Sequence, residues 1–346
     1  MIDIIIPILI IGISLIGVHK QTDNEALSLV QGKCIKGLAA IFIVIIHIPL
    51  FFLGKTSYQL ISVGGYLLVG IFFFYSGYGI TKKSIINNEN IKQQLPKRII
   101  KLFKIIIITE LIYIICNVIL FKKSYPFKDI LLYITGVKLI NGAMWYIIAL
   151  IIIYILIILL SKIKVIKGQY TKIAVLACVF YVIICFLRGR HWRETQSCVA
   201  FIIGTYMAED EHNYEKITKK KSTRQITSVI AFICFLFSNI AIYGIRHFYD
   251  DYWLIRFIFG WISTCSFIIL LIECLCKVRL ENKVLKFLGN ISTEIYLSHL
   301  LILEFFKFYF PELYTFNNSI IVSILVLFTT IAISTIVKKL SLYISI

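Results

Sequence analysis

Residues 36–53 of the chain read KGLAAIFIVIIHIPLFFL, an apolar run with a lysine at its start and a histidine in its middle. A run of this length predicts a helix that spans the membrane. Lys36 and His47 are about three helical turns apart, a rise of roughly 16 Å, so they lie on nearly the same face. We therefore expect the cation at the membrane surface and the imidazole near the midplane, where ionisable groups are costly and usually functional.

The rest of the chain extends this pattern over its 346 residues, of which 59% are hydrophobic, with a mean hydropathy of +0.89. These values predict an all-α, polytopic membrane bundle that forms a single domain over residues 1–346. The seventh predicted span is too short to cross unaided, and residues 125–142 are expected to lie on the surface or to be re-entrant. The eleven predicted spans are 2–18, 35–53, 59–81, 99–121, 143–160, 171–188, 197–207, 226–245, 254–276, 288–310 and 319–337.

The formal charge of +18 is unevenly distributed between the loops. Most Lys and Arg residues fall on one side if the 19–36 loop is cytoplasmic, which is the positive-inside bias. This predicts an N-terminus outside and a C-terminus in the cytoplasm. A nucleic-acid partner is not expected, because no clustered basic face on a soluble module is present.

Cysteines and the N-terminus suggest no further chemistry. The nine cysteines are scattered, and Cys274 and Cys276 lack the spacing of a zinc site, so we expect free thiols and no metal. The first eighteen residues lack the features of a cleaved signal peptide and are interpreted as a retained span.

Two groups of residues suggest a reaction that begins at the cytoplasmic surface. The neutral imidazole of His47 is able to accept a hydroxyl proton or to attack an activated acyl group. Lys97, Arg98 and Lys101 share a helix face at the start of span four, where they suit either a phosphate or anionic lipid.

A polar stripe and an aromatic pair accompany these groups. Ser292, Tyr296 and His299 fall on one face of span ten, where His299 is expected to support a substrate rather than to react. Trp145 and Tyr146 open span five and fit either an aromatic belt, the simpler interpretation, or an acceptor groove.

Three further features of the sequence have a structural as well as a functional interpretation. Arg188 and Arg190 make a loop basic on the predicted outer side, where they suit an anionic glycan. The glycine-rich segment 64–79 is expected to pack helices closely. Glu110 is expected to face another helix as a protonated carboxyl, with acid–base work as a secondary possibility.

These pieces, in this order, resemble the acyltransferase-3 family of bacterial membrane O-acyltransferases over roughly residues 33–337, with residues 1–18 as an extra N-terminal span. The family pattern Arg-x10-His is matched by Lys36 and His47, and Arg-x-x-Arg by Arg98 and Lys101. Lysine replaces arginine at positions 36 and 101, which keeps the charge but loses bidentate geometry. The patterns FF-x-x-SG-[FY], LWF, FxxG and S-x-x-IYL-x-H are matched at 73–78, 144–147, 201–204 and 292–299.

The resemblance implies transfer of an acyl group, most simply acetyl, from cytoplasmic acyl-CoA to a hydroxyl of an extracytoplasmic polysaccharide or other cell-surface glycan. Lys36, Lys97, Arg98 and Lys101 would hold the phosphates of the donor, and His47 would act as general base or be acylated transiently. No permanently bound cofactor is implied, and the expected location is the bacterial cytoplasmic membrane. A transporter or flippase of a small solute or lipid-linked sugar and a scaffold for glycan assembly are the alternatives.

Overall fold

The structure is a computed structural model that describes residues 5–21, 27–51, 64–86, 91–163, 165, 168–189, 194–210, 221–248, 253–313 and 319–343. Helices make up most of these ranges, so the predicted all-α class is confirmed. The thirteen helices in them are α1 (Ile5–Leu15), α2 (Leu29–His47), α3 (Gly65–Ile86), α4 (Ile91–Ile119), α5 (Phe127–Ile134), α6 (Trp145–Leu160), α7 (Tyr170–Leu187), α8 (Val199–Glu209), α9 (Lys221–Phe248), α10 (Trp253–Leu275), α11 (Lys283–Asn290), α12 (Ser292–Tyr309) and α13 (Ser319–Tyr343).

The eleven helices other than α5 and α11 occupy the positions of the eleven predicted spans. Seven of them, α2, α4, α6, α7, α9, α10 and α13, are long and apolar enough to cross a bilayer. The helix α8 has only eleven residues and is largely buried, so its neighbours shield it as the short seventh span requires. The predicted span ends at 2–4, 52–53 and 59–63 lie outside the described residues.

The helix α2 begins six residues earlier than predicted and ends at His47, which corrects the expectation that this histidine lies in the middle of a helix. Its start is fixed by Ser28, whose side chain accepts a hydrogen bond from the Gln31 N–H. A short 3-10 turn, Ile48–Phe51, follows the helix. Pro49 explains the change, because it has no N–H to donate to the Ile45 carbonyl, which accepts from the Ile48 N–H instead. The site therefore has a helix end beside the imidazole.

Residues 125–142 are predicted to lie on the surface or to be re-entrant, and different parts of this segment do each. The helix α5 has no buried residue, and Phe127 is exposed at its start. Asn141, in contrast, is buried, and its backbone N–H donates a hydrogen bond to the Glu110 carboxylate inside α4. The chain thus runs over the surface and then turns into the bundle before α6 begins.

Glycines bring α3 and α8 into direct backbone contact. A Cβ atom on Gly77 would meet the carbonyl of Phe201, and one on Gly204 would meet the carbonyl of Phe74. Only glycine permits this approach. The expectation that the glycine-rich segment packs helices closely is confirmed for Gly77.

A small antiparallel ladder, which the sequence patterns did not predict, joins α1 to the rest of the bundle. Strand β1 (Val18–Lys20) pairs with β2 (Val278–Leu280), and the Asn282 amide donates to the carbonyls of Ile13 and Ile16 at 2.8 Å each. The helix α11 follows Asn282 directly and packs on α2, where Gly37 and Gly289 allow the two backbones to touch. The ladder and α11 together support the end of α2 that carries Lys36.

Candidate active site

Two histidines from different helices meet inside the bundle. The ring of His47, at the end of α2, lies 4.8 Å from the ring of His299 in α12, measured between centroids, with the planes tilted by 55°. The two residues are 252 positions apart in the chain, so the fold alone brings them together. The sequence predicted both as site residues without predicting their contact.

A backbone hydrogen bond fixes the protonation pattern of His47. Its Nδ1 lies 2.7 Å from the carbonyl oxygen of Ile43, one turn earlier in α2. Because a carbonyl only accepts, Nδ1 carries the proton and donates it. In the neutral ring Nε2 therefore holds the lone pair, which is the arrangement that a general base or a nucleophile requires.

His299 is fully buried, with 0% of its surface exposed. Neither ring nitrogen makes a hydrogen bond of normal geometry among the described residues, although the backbone of Ile295 and Tyr296 is close enough to act on the ring. Leaving a buried polar group without a well-formed bond costs about 1–3 kcal/mol. Other buried polar atoms of the described residues share this condition, but His299 also lies beside a second imidazole. The pair is therefore a candidate position for a substrate.

Aromatic rings line the space next to the histidine pair. Tyr296 lies 6.0 Å from His299 and 5.8 Å from Tyr146, the second residue of α6. Phe72 of α3 contacts both tyrosines, at 6.3 and 5.9 Å. Tyr146 is buried, which does not fit the simpler interpretation of an aromatic belt. The fold instead places it in the interior beside the histidines.

A series of polar side chains leads from this aromatic group toward the basic residues. The hydroxyl of Ser76 interacts with the hydroxyls of Tyr146 and Tyr154, and Tyr154 also interacts with the guanidinium of Arg98. The contacts of His47, His299, Tyr296, Tyr146, Ser76, Tyr154 and Arg98 thus form an unbroken path through α2, α12, α6, α3 and α4.

Lys36 lies at the basic end of this path. Its Nζ atom is 5.9 Å from the ring centroid of Tyr75, the neighbour of Ser76. The charges of Lys33 and Arg98 are close enough to act on the Lys36 ammonium. Because like charges repel, an anion bound among these three residues would relieve the repulsion.

The other predicted donor-binding residues take different positions. Lys97 and Lys101 are exposed on α4, whereas Arg98 between them is half-buried. The structure therefore brings Lys36 and Arg98 together, while Lys97 and Lys101 face outward. Their exposure agrees with the lipid-anchoring alternative that the sequence left open.

The remaining predicted residues are more distant from the histidines or are structural. Ser292 is buried at the start of α12, where its hydroxyl donates to the carbonyl of Gly289 at 2.9 Å. Trp145 is half-buried and contacts Phe73 at 6.5 Å. Arg188 is exposed at the end of α7. Arg190 lies outside the described residues.

Glu110 serves as a buried acceptor. It is 0% exposed, and its two carboxylate oxygens accept hydrogen bonds from the N–H groups of Ile140 and Asn141, at 3.2 and 3.4 Å. Its contact is with the re-entrant segment, so the expectation that it faces a neighbouring transmembrane helix needs correction. Both oxygens bind backbone, which gives Glu110 a structural task.

Sequence reasoning missed Tyr154 and Ser76 as site residues. A signal was present for Ser76, because it belongs to the segment 73–78 that carried the family resemblance. Tyr154 lies in a run of Ile and Leu, WYIIALIIIYILIILL. A hydroxyl at that depth needs a hydrogen-bond partner, so a tyrosine among Ile and Leu residues indicates a polar contact inside the bundle.

The family comparison adds to this geometry. A family model described as an acyltransferase domain matches residues 33–339, which include both histidines, Lys36 and Arg98. No curated protein and no solved structure matches the chain. On the strength of that match over most of its length, the chain belongs to the acyltransferase-3 family and is a multi-pass membrane acyltransferase.

Proposed function

We propose that this protein transfers an acetyl group from cytoplasmic acetyl-CoA to a hydroxyl of an extracytoplasmic glycan. The observation that carries the proposal is the His47–His299 pair inside the bundle, which polar and aromatic contacts connect to Lys36 and Arg98. A cationic end and an internal base are the two parts that an anionic thioester donor requires.

The donor would enter at the basic end of the bundle, which the positive-inside bias assigns to the cytoplasm. Lys33, Lys36 and Arg98 would bind its phosphates, with Arg98 supplying a bidentate guanidinium. The pantetheine arm is uncharged and would lie along Tyr75, Ser76 and Tyr146. This arrangement would deliver the thioester to the histidines while its nucleotide stayed at the surface.

The transfer requires a base for the acceptor hydroxyl. In the direct route, Nε2 of His47 takes the hydroxyl proton while the oxygen forms a bond to the thioester carbonyl carbon. The carbon–sulfur bond then breaks, and the CoA thiolate recovers the proton from the imidazolium. In the two-step route, Nε2 itself attacks the thioester carbonyl carbon and the carbon–sulfur bond breaks, which releases the CoA thiolate and leaves a cationic acyl-imidazole. The acceptor hydroxyl then attacks the acyl carbon, the carbon–nitrogen bond breaks, and the hydroxyl proton passes to the thiolate. Both routes use the same lone pair.

His299 would act on the carbonyl oxygen. In its neutral form one ring nitrogen bears a hydrogen, and this N–H would donate to the oxygen as negative charge develops on it. Donors of this kind act strongly in a dry site, because no water has to reorganise. This role also explains why the ring lacks a well-formed hydrogen bond in the free protein.

The test is acetyl transfer by the purified protein in lipid nanodiscs, measured with radiolabelled acetyl-CoA and an isolated surface glycan. His47→Ala is expected to lower the rate about 1,000-fold. His19→Ala is the matched control, because His19 is exposed in β1. The proposal fails if folded His47→Ala protein keeps full activity. Solute uptake without any acyl transfer would favour a carrier.

A further inference from the structure

The carbonyl oxygen of Leu297 in α12 receives two side-chain hydrogen bonds. The Tyr113 hydroxyl of α4 donates to it at 3.0 Å, and the Asn141 amide donates to it at 2.7 Å. A carbonyl oxygen has two lone pairs, so these donors occupy both. In a regular α-helix this oxygen would accept from the N–H four residues later.

That N–H belongs to Leu301, and it also has a different partner. It donates to the Tyr113 hydroxyl at 3.0 Å, the same hydroxyl that donates to Leu297. The phenol oxygen therefore bonds to both backbone groups at the ends of one helical turn.

The side chains that bond to Leu297 are firmly held. Tyr113 is 2% exposed and Asn141 is 1% exposed. The oxygen of the Asn141 side chain accepts from the Ala143 N–H at 3.0 Å, and its backbone N–H is bound by Glu110. Glu110, Tyr113 and Asn141, which we call the clamp, thus form one connected unit between α4, the re-entrant segment and α12.

The bridged turn, 297–301, has His299 at its centre. Residues two positions apart on a helix differ by about 200°, so His299 points to the side opposite Leu297 and Tyr113. The bonds on the clamp side hold this turn in place, while the opposite side presents His299 to His47 of α2, 4.8 Å away between ring centroids.

We propose that the clamp positions His299 against His47, and that Tyr113 is its central positioning residue. The inference rests on the proposed acetyl transfer. The polar residues of the clamp in α4 are three positions apart, so they mark one helix face. Their role is to set the angle of the buried His299 imidazole through the backbone of α12, without bonding to the ring itself.

The test is Tyr113→Phe in the nanodisc assay. The substitution removes one oxygen and allows Leu301 to bond Leu297 directly, so folding is preserved. We expect kcat to fall about tenfold, because misoriented groups lose catalysis steeply. The KM for acetyl-CoA should stay unchanged, since Lys36 and Arg98 are untouched.

Tyr309→Phe is the matched control. The Tyr309 hydroxyl joins α12 to Leu120, the residue that follows α4, by donating to its carbonyl at 2.7 Å, but it lies away from the turn 297–301. If both variants lower kcat equally, or if Tyr113→Phe leaves it unchanged, the clamp has no positioning role.

A second readout is independent of activity. Histidine labelled with ¹⁵N gives signals from only six side chains, and the signal lost in His299→Gln identifies His299. Tyr113→Phe should shift that signal, and Tyr309→Phe should not. If the wild type transfers no acetyl group, the proposed function fails, yet this shift would still support the clamp. An unmoved signal would overturn it.

Discussion

The contact between α3 and α8 differs sharply from the contact between α2 and α12. In the first, Gly77 and Gly204 let two backbones touch through small, apolar surfaces. In the second, two imidazoles lie side by side, and the His299 ring makes no hydrogen bond of normal geometry among the described residues. The first contact contributes close packing, whereas the second keeps a polar group in the interior at an energetic cost that the proposed substrate would remove.

The comparison shows how a membrane bundle can contain a reactive site without losing its fold. Close backbone packing at Gly77 and Gly204 fixes α3 against α8 without a contact from either histidine. The poor hydrogen bonding of His299 is then tolerated, because other contacts hold the surrounding helices. Stability and activity should therefore respond to different substitutions.

The largest effect on stability is expected from disrupting the contact between α3 and α8. In Gly204→Ala the new Cβ would meet the Phe74 carbonyl at a distance that real contacts do not show. The helices would have to separate, and we expect a loss of about 3 kcal/mol in unfolding free energy. Gly79→Ala, on α3 with no neighbouring heavy atom within 4 Å, is the control. Thermal unfolding in nanodiscs measures both, and equal stability would contradict the packing argument.

The next largest effect is expected from removing the imidazole of His299. His299→Leu should lower acetyl transfer about 100-fold, which is typical for loss of an oxyanion donor. Its melting temperature should stay the same or rise, because two poorly bonded nitrogens leave the interior. Calorimetry and the transfer assay on one preparation test this. A marked fall in melting temperature would show that His299 contributes to stability instead.

Arg98 connects the histidines to the surface, and its loss should have an intermediate effect. Arg98→Ala is expected to raise the KM for acetyl-CoA about tenfold, the value of one charge-assisted contact, with a smaller change in kcat. Lys101→Ala, on the same helix but exposed, should leave KM within about twofold. Equal effects of the two variants would mean that general surface charge, rather than Arg98, attracts the donor.

The smallest effect is expected at Lys36. Lys36→Arg restores the guanidinium of the family pattern and should lower the KM for acetyl-CoA by about threefold, because a fork binds phosphate with two bonds. Initial rates over a range of donor concentrations measure it. A rise in KM would indicate that the contact with Tyr75 fixes the lysine for another purpose.

The positions of eleven of the thirteen described helices were predictable, because apolar runs of membrane-spanning length mark them in the sequence. The ends of the helices were harder to predict than their positions, as α2 shows. The apolar run suggested a start at Ile35, but the Ser28 cap moves the helix start to Leu29. Pro49 was visible in the same run and would have placed His47 at the helix end.

The candidate site was predictable in its ionisable residues and not in its supports. His47 and His299 interrupt apolar runs, whereas Lys36 and Arg98 are distinguished from the other Lys and Arg residues by their spacing and grouping. Tyr113 and Asn141 act through a backbone carbonyl in a distant helix. Such contacts depend on tertiary geometry, which residue spacing does not encode.

The end of α2 at His47 has an electrical consequence. The peptide dipoles of this 19-residue helix add up to a partial negative charge of about half an electron at its C-terminal end. When the ring takes up a proton or an acyl group it becomes cationic beside that end, and water is too scarce there to solvate it. The helix that ends at this residue thus provides a negative counter-charge for a cationic His47. Among the described residues, His47 donates its hydrogen bond to the Ile43 carbonyl and not to a carboxylate.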